Sequence, residues 1–284
     1  MTNLLKGKDV AAFINERSKK TVEDLKEKGI NPCLAVFRVG NKDNDLSYER
    51  GIEKRCAETG VELIKYVFEE EVSEEDFYAK LSEANEDNNI HGILVFRPLP
   101  KRFDDKKLRN FIKASKDVDG CGDLSLAGVF TNQKLGFAPC TAEAAVEILD
   151  YYHIDVAGKN VVVLGRSLVI GKPVSQLLLN KNATVTVCHS KTENIAQIAS
   201  NAQILVCATG MMESVTKDYF NSEQTVIDVG ISYNEVKQKL CGDVLFEDAE
   251  NVVANITPVP GGVGSVTTSV LISHVVEAAN RTIN

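Results

Sequence analysis

Residues 161–179 read VVVLGRSLVIGKPVSQLLL. A short β-branched run ends at Gly165, a polar turn follows, and Gly171 then precedes an apolar pattern of helical period. Pro173 fits such a helix in its first turn, where a missing N–H costs nothing. The arrangement is that of a strand–turn–helix whose turn cradles phosphate, although the glycines are spaced GxSxxxG rather than in the dinucleotide fingerprint. Taken alone, an ordinary strand-to-helix turn would read the same way.

The context raises it. A second strand, ATVTVC, ends about 20 residues further on, where a ribose-reading acid belongs in a dinucleotide site. The sequence there is CHSKT, with no Asp or Glu. An acid at that place would accept hydrogen bonds from a free ribose and repel an added phosphate. Ser190 and Lys191, with Arg166 across the first turn, offer donors and positive charge instead. This favours NADP and leaves NAD open. His189 and Ser190 could equally cap the next helix, and one residue can do both.

Working outward, short β-branched runs alternate with helical patterns along the whole chain. The first half gives CLAVFRV, a helix through Tyr48, ELIKYVF, a helix from Ser73 and GILVFRPLP. The second gives a helix over 142–152, then VVVLG, ATVTVC, AQILVCA and TVIDVGI with helices between, and a terminal helix. Alternation of this kind predicts an α/β fold built on parallel sheets. The stretch SKDVDGCGDLSLAGVFTNQKLGFAPCT reads as a loop separating two domains, with the boundary near Thr141.

The chain has 284 residues, 44% of them hydrophobic and 25% charged, which excludes disordered and collagen-like classes and suffices for two packed domains. A formal net charge of -8 without a long Lys/Arg cluster argues against nucleic acid as partner. No apolar run approaches the roughly 18 residues of a membrane span, and the first residues lack the apolar core of a signal peptide. A soluble cytoplasmic protein is expected. Seven singly scattered cysteines fit reduced thiols in that compartment. Four dispersed histidines give no ligand spacing, so no metal site is expected.

One further stretch, ITPVPGGVG at 256–264, places glycines where backbone can approach a ligand and prolines that stiffen the approach. With it, the ordered set KDVDG, PCT, GRSxxxGKP, CHSKT, VIDVGI, GDV and ITPVPGGVG resembles the methylenetetrahydrofolate dehydrogenase/cyclohydrolase family. The resemblance covers about residues 47–268. It implies an N-terminal α/β folate domain, of the kind seen in amino-acid dehydrogenases, over 1–140 and completed by a C-terminal helix over 270–284. A Rossmann NADP domain over 141–269 and a cleft between the two are also implied, as is a homodimer through the Rossmann domain. Members oxidise methylene-tetrahydrofolate to methenyl-tetrahydrofolate with NAD(P), and many then hydrolyse the product.

Residue by residue, the resemblance makes Asp119 the pterin-binding aspartate and Tyr48 the tyrosine lining the folate, both at the catalytic centre. Gly165, Arg166 and Ser167 match the cofactor loop, Ser190 the residue near the ribose phosphate, and Ile231 a backbone contact at the nicotinamide end. Thr141 lies near the cofactor, and Pro260, Gly261 and Gly262 match the loop facing both ligands. Without the resemblance, Asp119 before a glycine would be read as a turn former.

Two positions depart from the family pattern. The family reads Tyr-x-x-x-Lys-x-Lys, with a Gly eight residues beyond the first lysine. Here Tyr48 and Gly60 keep that interval, yet the first lysine position is Ile52. Lys54 fits the second lysine and is rotated ~200° from Ile52 around the helix. The family also reads VQLPLP where this chain has VFRPLP, so Phe96 replaces the glutamine that would orient the lysine. Loss of both polar partners is nearly neutral, whereas loss of one would strand the other. Arg97, by strand alternation, is expected to face away. Hydride loss from the methylene carbon needs no base, whereas hydrolysis needs a desolvated lysine. A dehydrogenase with its cyclohydrolase step lost or strongly reduced is therefore expected. A bifunctional enzyme using another base, or a non-catalytic folate binder, remain the alternatives.

Overall fold

A computed structural model describes residues 2–283. The chain forms two compact units. One comprises Ala12–Cys140 and the residues from Thr268 on. The other comprises the residues through Ala11 together with Thr141–Thr267.

The first unit is built on a three-stranded parallel sheet in the order Glu62–Phe68, Cys33–Val39, Gly92–Val95. All seven residues of the central strand are buried, which explains its near-continuous apolar sequence. An aromatic cluster fills the space over one face: Phe37 stacks on Tyr66, and Phe77 meets Phe37, Tyr78 and Phe103 edge-on. The helix Asp43–Thr59 buries Glu49, Ile52, Cys56 and Thr59, a stripe of helical period. It stops at Gly60, whose φ of 80° provides the left-handed cap and whose N–H donates to the Cys56 carbonyl. Glu49 lies in this apolar stripe because Arg38, itself buried in the central strand, donates from Nε to its carboxylate at 2.8 Å. Helix Glu74–Glu86 starts at Ser73, whose hydroxyl accepts from the Asp76 N–H.

The loop-like stretch before the domain boundary holds a helix that periodicity missed, Asp123–Thr131. Its amphipathicity is weak, so no period marks it, and Gly128 packs against the chain that returns through Gln133 and Leu135.

The second unit holds a six-stranded, all-parallel sheet. Its order is Asn3–Leu4, Asn255–Ile256, Thr225–Asp228, Ile204–Cys207, Asn160–Leu164, Thr184–Cys188. The strand Asn160–Leu164 is followed in sequence by its neighbour on one side and then by its neighbour on the other. Strand order therefore reverses there, and the crevice at such a switch point is where α/β sheets bind ligands. The first edge strand corrects the domain limits expected from sequence. Residues 3–4 pair in parallel with 255–256, which places the start of the chain in the second unit. A two-residue strand carries too little pattern to be read from sequence.

Candidate functional site

In the second unit, the turn after Asn160–Leu164 is shaped by glycine. Gly165 has φ 122°, and a side chain on it would collide with the Ala208 carbonyl oxygen. A side chain on Gly171 would run into the Gly165 carbonyl. Ser167 Oγ accepts from the N–H of Ile170 at 3.1 Å and of Gly171 at 3.5 Å, closing the turn as the helix Gly171–Asn180 begins. These elements border a cavity of about 350 Å³ lined by Gly165, Arg166, Ser167, His189, Ser190 and Thr209, among others. The four cofactor-side residues expected here therefore share one wall-to-wall space. Arg166 and Ser190 are exposed there, and among the described residues neither has a side-chain hydrogen bond or ion pair. The capping alternative for Ser190 is not realised. The next helix starts at Ile195, and the turn before it is held by Thr192 Oγ1, which accepts from the His189 N–H.

A second cavity in the same unit, about 290 Å³, gathers Thr141, Ile231, Pro260, Gly261 and Gly262. Its floor is ordered by Asp228, which the sequence reading passed over. The Asp228 carboxylate accepts from the N–H groups of Gly230, Asp243 and Val244, each at 3.0 Å. Burial pushes its carboxyl up to about 7, against the pull of those backbone donors. Asp243 Oδ2 in turn accepts from Thr209 N and Gly210 N. The motifs VIDVGI and GDV are thus a mutual brace. Side chains on Gly230 or Gly242 would strike the carboxylates of Asp243 and Asp228 respectively, so the signal for Asp228 was the pairing of an Asp–x–Gly with a distant Gly–Asp. At the other wall, Gly261 has φ 103° and its carbonyl accepts from Gly7 N–H at 2.8 Å.

In the first unit, the two aspartates of KDVDG divide their work. Asp117 is the turn former: Oδ1 accepts from Cys121 N–H, and Oδ2 accepts from Gly122 N–H and Ser125 Oγ–H at 2.8 and 2.6 Å. Gly120, at φ 68°, abuts the Ala138 backbone and admits no side chain. Asp119 is thereby released from turn duty. Burial pushes its carboxyl up, while the Cys121 thiol, which donates to Oδ2 at 3.0 Å, and the Arg97 guanidinium act to lower it.

Arg97 does not face away. The strand ends at Val95, so alternation no longer applies two residues later, and the chain bends there. Arg97 Nη2 lies 3.6 Å from Asp119 Oδ2 and donates to Cys121 Sγ, while Nη1 donates to Asp105 Oδ1 at 3.4 Å.

Tyr48 is half-buried, and its ring packs on Phe96 with centroids 5.5 Å apart. Burial, then the Asp119 charge, pushes its phenol well above the usual range, so it stays a neutral donor. Ile52, one turn on, is 0% exposed, and Phe96 is 5% exposed. Lys54 leaves this face. Its side chain is 72% exposed, with Nζ 3.9 Å from Glu58.

Among the described residues no group of three or more His, Cys, Asp or Glu could hold a metal ion, and no helix is long and apolar enough to cross a membrane.

Residues 139–283 match the family model of the tetrahydrofolate dehydrogenase/cyclohydrolase NAD(P)-binding domain, and residues 5–119 match that of the catalytic domain. The chain is 47% identical over 281 residues to the bifunctional protein FolD of Clostridium botulinum (strain Langeland), covering 99% of each. It is 48% identical over 278 residues to that of Clostridium kluyveri, covering 98% of each. Among solved structures it superposes on the bifunctional FolD of Campylobacter jejuni with a TM-score of 0.95 and 35% identity, covering 99% of this chain and 100% of that one. The Trypanosoma brucei dehydrogenase-cyclohydrolase, solved with NADP and an inhibitor, gives 0.91 and 33%, covering 100% of this chain and 99% of that one.

Proposed function

The chain belongs to the tetrahydrofolate dehydrogenase/cyclohydrolase family, and from that premise we propose that it oxidises methylene-tetrahydrofolate to methenyl-tetrahydrofolate with NADP and stops there. The observation that carries the second half is the state of the helix face beside Tyr48. Where the family pattern has a lysine, Ile52 is fully buried, and where it has the orienting glutamine, Phe96 packs on the Tyr48 ring.

The side chains of both units fit this division of labour. Asp119 offers a carboxylate to the amide and amino edge of a pterin, a pairing that needs two acceptors facing two donors. The neutral Tyr48 phenol flanks it. In the other unit the glycine-shaped turn and the open side chains of Arg166 and Ser190 suit a phosphorylated ribose, and the cavity at Thr141, Ile231 and Pro260–Gly262 suits the redox ring. NADP, when bound, supplies the hydride acceptor. Loss of that hydride is driven by the lone pairs of the substrate's own nitrogens, so position suffices.

Hydrolysis of the methenyl ring makes another demand, for a group that can take and return a proton near neutral pH. Lys54 is solvated rather than desolvated. Arg97, though near Asp119, stays protonated: its ordinary value is already far above neutrality, and Cys121, Asp119 and Asp105 more than offset the cost of its burial. In the same reading the protein works in the cytoplasm as a homodimer through its Rossmann unit, and sedimentation of the purified protein tests the dimer.

A two-wavelength assay tests the enzymatic reading. Reduced cofactor and methenyl-tetrahydrofolate should accumulate together, and the methenyl absorbance should then decay at the buffer rate. Enzyme-dependent decay that disappears in Lys54→Ala would restore a bifunctional enzyme. Absence of any reduced cofactor would leave a folate-binding protein without catalysis.

A further inference from the structure

The pattern VFRPLP puts an arginine where the family pattern has leucine, and the structure brings that arginine onto the carboxylate expected to hold the substrate. Among the described residues, both polar contacts of the Asp119 carboxylate fall on the same oxygen. Cys121 Sγ–H donates to Oδ2 at 3.0 Å, and Arg97 Nη2 stands 3.6 Å from Oδ2. Among the described residues none donates a hydrogen bond to Oδ1. The guanidinium is held on two sides by side chains, with Nη1 on Asp105 Oδ1 and Nη2 on Cys121 Sγ. Asp105 is itself steadied by Arg109, whose Nε lies 3.0 Å from Asp105 Oδ2. An arginine so tethered presents a fixed donor beside a fixed pair of acceptors.

Read in order, the protein edge is therefore acceptor (Oδ1), acceptor (Oδ2), donor (Arg97). Its complement is a ligand edge of donor, donor, acceptor. A pterin carries that sequence in its 2-amino group, its N3–H and its 4-oxo oxygen. A leucine in place of Arg97 would leave Asp119 to read only the first two. The geometry points to Arg97 as a specificity-determining residue that donates to the 4-oxo oxygen of the folate held by Asp119, with Cys121 and Asp105 as the residues that aim it. This rests on the folate reading given above and goes beyond it, because it assigns to this chain a contact that its family pattern lacks.

The chemistry separates two folates that differ only at that position. A 4-oxo compound meets Arg97 with an acceptor. Its 4-amino-4-deoxy counterpart turns an N–H toward the guanidinium and loses N3–H as well. The wild-type protein should prefer the 4-oxo compound both through Asp119 and through Arg97. Substitution of Arg97 should remove only the second share.

The experiment is calorimetric titration of the full-length protein, saturated with NADP and kept anaerobic, with tetrahydrofolate and with 4-amino-4-deoxytetrahydrofolate. In Arg97→Leu the ratio of the two affinities should fall about 10-fold or more, the size of one hydrogen bond to a charged group. Arg97→Lys, which keeps a donor without the planar fork, should fall between. NADP affinity, read in the same protein preparations, reports that each variant is folded. If Arg97→Leu weakens both ligands by the same factor, Arg97 only supports the shape of the site and the assignment is wrong. An unchanged ratio overturns it equally. If wild-type protein that titrates normally with NADP binds neither folate, the folate reading itself fails, and this assignment falls with it.

Discussion

On the proposed reading, the two units solve their binding problems with different materials. Around residues 165–171 and 258–264 the site is made by backbone: glycines at positive φ, carbonyls in close approach, N–H groups aimed by the turn. Around Tyr48 and Asp119 it is made by side chains standing on a helix, a strand end and a turn. A site made of backbone survives almost any change of side chain that keeps its glycines. One made of side chains changes its chemistry with single substitutions while the fold stays as it was. On the proposed reading, Ile52, Phe96 and Arg97 are such substitutions.

The contrast can be broken first at Asp119. Asp119→Ala should weaken tetrahydrofolate binding by about 100-fold or more, since two hydrogen bonds to a carboxylate are lost together. NADP binding, which depends on the other unit, should be untouched. Calorimetry that finds folate binding intact in this variant would make Asp119 a bystander and Asp117 the whole purpose of KDVDG.

A second change asks whether the side-chain site can be rebuilt. Ile52→Lys alone should lower stability by about 3 kcal/mol, because a fully buried position would receive a charge without a partner. Ile52→Lys with Phe96→Gln should recover part of that loss in denaturant unfolding. It should also hydrolyse methenyl-tetrahydrofolate faster than the single variant, since the lysine then has an orienting partner. If the double variant proved less stable than Ile52→Lys and no faster, the polar pair would not be what this pocket lacks.

In the backbone-made site, the proposed reading gives the cofactor preference to the side chains of Arg166 and Ser190, and Arg166 carries the charge. Arg166→Ala should weaken NADP by about 10-fold, one hydrogen bond to a charged group, and leave NAD nearly unchanged. Equal losses for both cofactors would assign Arg166 to the shape of the loop and not to the phosphate.

The smallest effect tests the helix that carries Tyr48. Gly51 lies within Asp43–Thr59, and a methyl group added there would meet nothing within 4 Å. Gly51→Ala should therefore stabilise the protein by up to about 1 kcal/mol, visible as a melting temperature raised by roughly 2 °C. Turnover of methylene-tetrahydrofolate should stay the same. A slower enzyme would mean that the looseness of this helix is used in catalysis.

The sequence by itself determined the α/β class, the two sheets, and the glycine turns of the cofactor side. These depend on local periodicity and on φ values that only glycine adopts freely, and both are written in neighbouring residues. It also showed that Ile52 and Lys54 could not share a face, because helix geometry is fixed by residue count alone. Tertiary structure decided what depends on distant partners. Residues 3–4 join a strand some 250 residues away, and Asp228 braces a turn 15 residues further on. Asp117 rather than Asp119 closes the KDVDG turn, a choice between two identical side chains that sequence cannot rank. Arg97 reaches Asp119 because the strand ends at Val95, and with no ladder to enforce alternation the direction of a long side chain is set by the charges it finds.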